Sequence, residues 1–259
     1  MNDYTVPVRG ARLKVRASGD GPALLWAHGL LSSMAAQQQA DRVATRWRMA
    51  PPCRLLRYDA RGHGASSACM APADATWDSL ARDMLALADA HGLDDLALGG
   101  VSMGAATALQ AALHEPARVR RLLLLAPPAL WEERALLADQ YRRIARADPR
   151  VLEKLLAGPT RLPDWLRRAA PVPIDDASLA NAATLYLGAA ASNLPPRVAL
   201  AAVAHIPALI VGWEGDAAHP LSSARELHRL LPRSRLHVLR SLRDYRSLPT
   251  VVPADWWTG

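Results

Sequence analysis

Residues 99–104 read GGVSMG and place Ser102 at the centre of a G-x-S-x-G pattern. The residues before it, DLALG (95–99), have the apolar character of a buried strand, and residues 103–114 after it have a helical pattern. A serine at a sharp strand-to-helix turn needs small neighbours, because larger flanking side chains collide there. The stretch therefore predicts a strained turn that lifts the Ser102 hydroxyl out of the sheet, at the positive end of a helix dipole.

Short apolar runs alternate with helical patterns on both sides of this turn. Continuous apolar runs are expected for parallel strands that are covered on both faces. Strands are predicted over 23–27, 53–58, 95–99, 120–126, 208–213 and 235–239, and helices over 77–90, 103–114 and 220–231. This alternation predicts an α/β fold with a doubly wound, mostly parallel sheet. Residues 5–17 are predicted to form an antiparallel hairpin at its edge.

The alternation stops between Pro127 and His205, where no run has the character of a strand. Helical segments separated by proline-rich breaks are predicted there, over 135–147, 163–170 and 179–191. Such an insertion would lie over the carboxyl ends of the strands, where open α/β sheets bind ligands. The expected organisation is therefore a core made of residues 1–127 and 205–259, with a helical cap over 128–204.

The composition narrows the class of protein. The chain has 259 residues, a net charge of +7 and only two cysteines, Cys53 and Cys69, whose spacing suggests neither a disulfide framework nor a zinc site. The first residues lack the apolar core of a signal peptide, and no stretch has the length and apolarity of a membrane span. We expect a cytoplasmic protein with a small-molecule substrate and no nucleic-acid or membrane partner. The oligomeric state is left open.

Four signatures in this order resemble the α/β-hydrolase family, and in particular its small esterase and lyase-like members with a helical cap. They are HGL (28–30), DARGHG (59–64), GGVSMG (99–104) and GWEGDAAHP (212–220), and each follows a predicted strand. The resemblance covers roughly residues 20 to 240. As a set, the signatures are far more specific than any one of them alone.

The resemblance implies roles for individual residues. Ser102 matches the nucleophile, and the backbone N–H groups of Leu30 and Met103 match the oxyanion hole. Asp216 matches the acid, with Glu214 as the runner-up two residues earlier. Asp59, Arg61 and His63 match a loop that is usually structural in the family. No cofactor or metal is implied.

The catalytic histidine is missing from its usual place in the family, shortly after the last strand. Residues 240–249 read RSLRDYRSLP and contain no histidine. His219 follows Asp216 by three residues and satisfies the chain order of serine, acid and histidine that this fold uses. It is the candidate base, although its contact with Asp216 would need a tight turn. The alternative is that the chain has no functioning triad.

Two functions follow from these residues. The first is a serine hydrolase acting on an ester, thioester or lactone of a small, largely apolar substrate, through an acyl-enzyme on Ser102. The second is a non-hydrolytic member of the fold that binds or reshapes a small molecule with an incomplete triad. Trp131, Tyr141, Trp165 and Tyr186 of the cap are candidates for lining the pocket.

Overall fold

One eight-stranded sheet organises the chain in the computed structural model, which describes residues 3–38, 53–147, 176–241, 243–244 and 247. The strands are β1 (Asp3–Val8), β2 (Ala11–Ser18), β3 (Ala23–Ala27), β4 (Arg54–Tyr58), β5 (Leu96–Val101), β6 (Val119–Leu125), β7 (Ala208–Trp213) and β8 (Ser234–Leu239). Their order is β1-β2-β4-β3-β5-β6-β7-β8. The pairs β1–β2 and β2–β4 are antiparallel and all the others are parallel. The sheet confirms the predicted fold class and the edge hairpin.

The central strands are apolar on both faces because helices cover both sides of the sheet. All five residues of β3 and all six residues of β7 are buried. The helices whose two ends are defined within the described residues are α1 (Trp77–Ala90), α2 (Met103–His114), α3 (Arg134–Ala145), α4 (Asp176–Ala180), α5 (Ala182–Ala190) and α6 (Leu221–Leu230). Short 3-10 turns lie at Pro72–Ala75, Pro116–Arg118, Trp131–Glu133 and Arg197–Val203.

Helix α1 begins and ends as its sequence predicts. The Thr76 hydroxyl accepts a hydrogen bond from the Ser79 N–H, which satisfies one of the free donors of the first turn. The chain leaves the helix through Gly92, whose φ of +62° suits a residue without a side chain. Leu80, Met84 and Leu87 lie at helical spacing on one face of the helix and are buried.

Helix α2 carries the turn at Ser102 and lies inside the molecule. Ten of its residues, Met103 to Ala112, are buried. Alanine dominates the helix, and small side chains let it approach β3, β5 and β6 closely. The serine at its N-terminus therefore sits on an element held by packing from several sides.

The described part of 128–204 contains helices and 3-10 turns but no strand of the sheet. Helix α3 packs on α5. Residues 148–175, including the predicted helix 163–170 and Trp165, lie outside the described residues, so the boundaries of the cap stay a prediction. In the described ranges, every helix is too short or too polar to cross a lipid bilayer.

Candidate active site

Ser102 lies at the turn between β5 and α2 with a strained backbone. Its φ of 55° and ψ of −115° lie outside the regions that residues with a side chain normally occupy. The Ser102 N–H donates to the Leu125 carbonyl at the end of β6, 2.9 Å away, which ties the turn to the neighbouring strand. The predicted strained strand-to-helix turn is confirmed.

The two glycines that flank this turn are needed for packing. A Cβ atom on Gly100 would lie 2.5 Å from the Ala27 carbonyl oxygen, and one on Gly104 only 2.1 Å from the same atom. Such distances are shorter than any real contact, so α2 could not lie this close to the end of β3 with alanine in either place. The G-x-S-x-G pattern thus reflects the meeting of helix, turn and strand behind Ser102.

His219 supplies the imidazole that the C-terminal stretch lacks. Its Nε2 lies 2.6 Å from the Ser102 Oγ, which is hydrogen-bond distance. The structure thus brings the candidate base and the candidate nucleophile together, while the assignment of His219 as base stays a prediction. With 16% of its side chain exposed, His219 remains open to a substrate.

Asp216 holds the other side of the imidazole. Its Oδ2 accepts from the His219 Nδ1–H at 2.6 Å. The other oxygen, Oδ1, accepts the backbone N–H groups of Ala218 at 2.9 Å and His219 at 3.2 Å. The carboxylate thus closes an Asx-type turn on its own chain, which is how two residues only three apart reach each other. Gly215, with φ of +81°, leads the chain into this turn.

The environment keeps Asp216 ionised. Burial pushes its pKa up, but the hydrogen bond and charge of His219 and the N–H groups of Trp213 and Ala218 outweigh that effect, so that the pKa is lowered. An ionised carboxylate beside Nδ1–H leaves the lone pair of Nε2 directed at Ser102. This is the tautomer that a general base needs.

The runner-up for the acid, Glu214, lies elsewhere. Glu214 is exposed and its carboxylate lies 3.6 Å from Arg240, so it is not the acid in this arrangement. Asp244 accepts the N–H of Arg240. His205 is exposed, at the other end of β7. Tyr245 lies outside the described residues.

The loop after β3 is packed against the nucleophile. A Cβ atom on Gly29 would lie 3.6 Å from the Ser102 Cβ. His28 braces this loop, since its Nδ1–H donates to the Gly29 carbonyl at 2.8 Å and its Nε2 accepts the Ala60 N–H at 2.9 Å. Leu30 follows, and the N–H of Met103 belongs to the first turn of α2, where no helical partner exists. These are the two N–H groups that the family resemblance assigns to an oxyanion hole, an assignment that stays a prediction.

The side chains of the DARGHG loop contact neighbouring parts of the fold. Asp59 accepts the N–H groups of Met34 at 2.7 Å and Ala65 at 2.9 Å, and Arg61 forms an ion pair with buried Asp83 at 2.8 Å. His63 is fully buried and packs edge-on against His28, with the ring centroids 4.9 Å apart. Burial and the neighbouring His28 lower the pKa of His63 to about 3, so it stays neutral.

Two cap aromatics belong to the surroundings of the site. Tyr141 and Tyr186 have ring centroids 5.1 Å apart, and both pack in an apolar cluster with Leu30 and Leu31 of the loop after β3. Burial raises the pKa of Tyr141, and the charge of Asp216 adds to that effect. Trp131 instead donates its indole N–H to the Pro195 carbonyl at 2.9 Å, within the cap.

Sequence reasoning missed Arg134 and Trp213. Arg134 is buried, stacks 4.4 Å from the Trp77 ring centroid and donates to the carbonyls of Ala189 and Ser192 at the end of α5. Nothing local in the sequence indicates these distant partners. Trp213 donates its indole N–H to Asp216, and this contact could have been sought, because a tryptophan that ends a buried strand needs an acceptor for that group.

In the described part of the chain, no group of three or more His, Cys, Asp or Glu side chains has the arrangement of a metal site. The polar side chains gathered at Ser102 are instead the imidazole of His219 and, behind it, the carboxylate of Asp216. An imidazole and a carboxylate in this arrangement can activate a hydroxyl.

Comparison with known proteins agrees with this fold. The sequence profile of the alpha/beta hydrolase fold family matches residues 22–241. An epoxide hydrolase of Caballeronia sordidicola is 30% identical over 152 residues, which are 57% of this chain and 44% of that protein. A 3-oxoadipate enol-lactonase of Acinetobacter baylyi is 30% identical over 128 residues, 47% of this chain and 45% of that protein. The chain thus spans about half the length of these curated relatives.

The fold of this chain matches that of a solved structure over nearly the whole length of both chains. The enol-lactonase from Burkholderia xenovorans LB400 superimposes with a TM-score of 0.73, covering 98% of this chain and 100% of that one. Its sequence identity to this chain is 22%, so the likeness concerns the fold.

Proposed function

The chain belongs to the α/β-hydrolase family, and from that premise we propose that it is a serine hydrolase acting on an ester, thioester or lactone of a small, largely apolar substrate. The observation that carries the proposal is the line of contacts from Ser102 Oγ to His219 Nε2 and from His219 Nδ1 to Asp216 Oδ2, each 2.6 Å long. A hydroxyl, a base and an orienting carboxylate at these distances form a nucleophile with its activating groups.

In the acylation step, His219 Nε2 takes the proton of Ser102 as Oγ attacks the substrate carbonyl carbon. Negative charge moves to the carbonyl oxygen, which the N–H groups of Leu30 and Met103 would hold. Asp216 stabilises the imidazolium without taking its proton. The intermediate then collapses, the bond to the alcohol, thiol or ring oxygen breaks, and His219 gives its proton to that leaving group.

Deacylation repeats the sequence with water. His219 takes a proton from the water molecule, the hydroxide oxygen attacks the acyl carbon, and the Ser102 oxygen leaves with the proton that His219 returns. The products are an acid and the free enzyme. For a lactone the acid and the alcohol remain in one molecule.

The preference for a small, apolar substrate rests on the surface above Ser102. Leu30 and Leu31 pack with Tyr141 and Tyr186 of the cap, so aliphatic and aromatic side chains surround the loop beside the nucleophile. We propose that 128–204 is a cap over this site and that 1–127 and 205–259 form the core. The name of the enol-lactonase relative supports a lactone among the candidate substrates.

Steady-state hydrolysis of p-nitrophenyl acetate by the wild-type chain and by Ser102→Ala tests the proposal. We expect weak esterase activity that disappears in the variant, together with an acyl group on Ser102 that mass spectrometry detects after rapid acid quenching. Equal rates in the two proteins would place any hydrolysis elsewhere. In that case the non-hydrolytic alternative, a binding or auxiliary protein of this fold, would be favoured.

A further inference from the structure

Trp213 is the last residue of β7 and lies directly beside the acid of the site. It is 5% exposed, and its Nε1–H donates to Asp216 Oδ2 at 3.0 Å. The same oxygen accepts the Nδ1–H of His219 at 2.6 Å. One carboxylate oxygen is therefore shared by an indole and by the imidazole of the base.

Sharing the oxygen has an electrostatic consequence. A hydrogen bond to a carboxylate stabilises its negative charge. Because the indole N–H of Trp213 stabilises part of the charge on Asp216, the carboxylate attracts a protonated His219 less strongly. The indole N–H does not titrate, so this effect is present at every pH. Without it, Asp216 would hold a protonated His219 more tightly.

The shared oxygen also has a geometric consequence. Oδ1 is fixed by the backbone N–H groups of Ala218 and His219, while Oδ2 is fixed on the outer side by the indole. The Trp213 ring meets the His219 ring edge-on, with the centroids 5.9 Å apart and the planes at 64°. Trp213 thus contacts both the Asp216 carboxylate and the His219 imidazole, and it supplements the two backbone N–H groups that hold Oδ1.

We propose that Trp213 is a positioning residue, which orients Asp216 and His219 towards Ser102 and limits how strongly Asp216 holds the protonated base. The inference rests on the proposed function for its effect on turnover, but its effect on the protonation of His219 can be measured without any substrate. Neither the glycines of the elbow nor the motif around Asp216 assigns this role to a tryptophan.

The other ionisable groups around His219 are few in the described part of the chain. Tyr141 of α3 is near enough to feel the charge of Asp216, and burial together with Asp216 raises the pKa of that phenol, which keeps it neutral. Glu133 is occupied by the hydroxyls of Ser222 at 2.7 Å and Ser223 at 3.4 Å, at the start of α6. Glu214 lies on the exposed side of the loop, next to Arg240. None of these side chains donates to Asp216 Oδ2 as Trp213 does.

Trp213→Phe is the test, because it removes the N–H and keeps an aromatic ring. Trp26→Phe is the matched control, since Trp26 is also buried and its indole N–H donates to Gln37 Oε1 at the same distance, 3.0 Å, away from Asp216. For each protein, two quantities are measured: the acidic limb of kcat/KM for p-nitrophenyl acetate, and the pH midpoint of the His219 imidazole signals by NMR, assigned with His219→Asn.

We expect Trp213→Phe to move the NMR midpoint and the acidic limb upward together by about half a pH unit, a roughly threefold change in proton affinity. We expect kcat at the plateau to fall about fivefold while KM changes less than twofold, because the interaction orients the base rather than the substrate. Trp26→Phe should lose stability but leave both midpoints in place.

An unchanged His219 midpoint in Trp213→Phe would overturn the proposal and leave Trp213 as a packing residue. If the wild-type chain hydrolyses no ester, the proposed function fails, while the NMR midpoints still decide the role of Trp213. If Trp213→Phe does not fold, the wild-type Nε1–H resonance of Trp213 decides instead. The chemical shift of this resonance should change as His219 titrates. A chemical shift that stays constant through the titration would refute the proposal that Trp213 and His219 share Asp216 Oδ2.

Discussion

His219 and Asp216 lie three residues apart in one loop, and the Nδ1 of the histidine is 2.6 Å from the Oδ2 of the aspartate. The acid and the candidate base therefore come from a single turn after β7, rather than from two separate strands. The turn is closed by the carboxylate itself, which accepts the N–H groups of Ala218 and His219. A bond from the Ala129 N–H to the Ala218 carbonyl, 2.9 Å long, ties this loop to the segment after β6.

His219→Ala should lower kcat by about 10² or more, because a positioned general base contributes roughly that much. Folding should change little, since the His219 side chain is partly exposed and the Asp216 carboxylate keeps the indole N–H of Trp213 and two backbone N–H groups. Steady-state kinetics and thermal unfolding check the two statements. His205→Ala is the matched control, since His205 is exposed and lies at the other end of β7. Equal activity in wild type and His219→Ala would remove His219 from the mechanism.

Gly104→Ala should destabilise the fold by about 3 kcal/mol, because the added methyl group would lie 2.1 Å from the Ala27 carbonyl oxygen and helix and strand must separate. Chemical denaturation measures the change. Gly92→Ala provides the comparison. Its φ is +62° but nothing lies within 4 Å, so only backbone strain of about 1 kcal/mol is expected. Similar losses in the two variants would contradict the close approach at Gly104.

Stability should fall as the pH drops below about 6.5, because His63 is buried and neutral in the fold. Its pKa is lowered to about 3 by burial and His28, whereas the unfolded chain binds the proton near 6.5. The unfolded state therefore holds more protons between these two values, and unfolding becomes easier by up to about 1.4 kcal/mol per pH unit. The total is on the order of 4 kcal/mol by pH 3.

His63→Asn should flatten this dependence, since the amide does not titrate and can still donate to the Arg61 carbonyl, which His63 Nδ1 contacts at 3.0 Å. His205→Asn, at an exposed position, should leave the dependence as in the wild-type chain. Urea unfolding at pH 4.5 and pH 7 compares the three proteins. A His63→Asn variant with the wild-type slope would show that the acid sensitivity arises from other groups.

Arg134→Met should lower the free energy of unfolding by about 3 kcal/mol. Removal of a buried charge that has no carboxylate partner would by itself favour the fold, but the lost hydrogen bonds outweigh that gain. The guanidinium caps the carbonyls of Ala189 and Ser192, and its removal leaves buried acceptors without donors. Arg142→Met, in the same helix but exposed, is the control and should change stability by less than about 0.5 kcal/mol. Equal losses of stability in Arg134→Met and Arg142→Met would show that the buried hydrogen bonds of Arg134 do not stabilise the fold.

Much of this arrangement could be predicted from the sequence because it is local. The turn at Ser102 follows from an apolar strand, two glycines and a helical pattern that are contiguous in the chain. Helix α1 could be predicted from Thr76 and Gly92 for the same reason. Asp216 and the loop of His28 to Leu30 could be assigned through the resemblance, since each directly follows a strand.

The rest depends on contacts that the sequence does not display. The pairing of His219 with Asp216 requires an Asx-type turn whose closure depends on backbone angles, and the sequence indicates His219 only through the chain order of serine, acid and histidine. Arg134 meets Ala189 and Ser192, 55 and 58 residues further along the chain. Trp213 lies close to Asp216 in sequence, but side-chain orientation alone decides whether its indole reaches the carboxylate.

The most direct test of the account is covalent labelling of the wild-type chain with a fluorophosphonate, located by peptide mass spectrometry. The phosphonyl group should be found on Ser102, be absent from Ser102→Ala, and form about 10² times more slowly in His219→Ala, because the hydroxyl needs its base. Labelling at another residue, or an equal labelling rate with and without the His219 imidazole, would contradict the claim that these two residues form the nucleophile and its base.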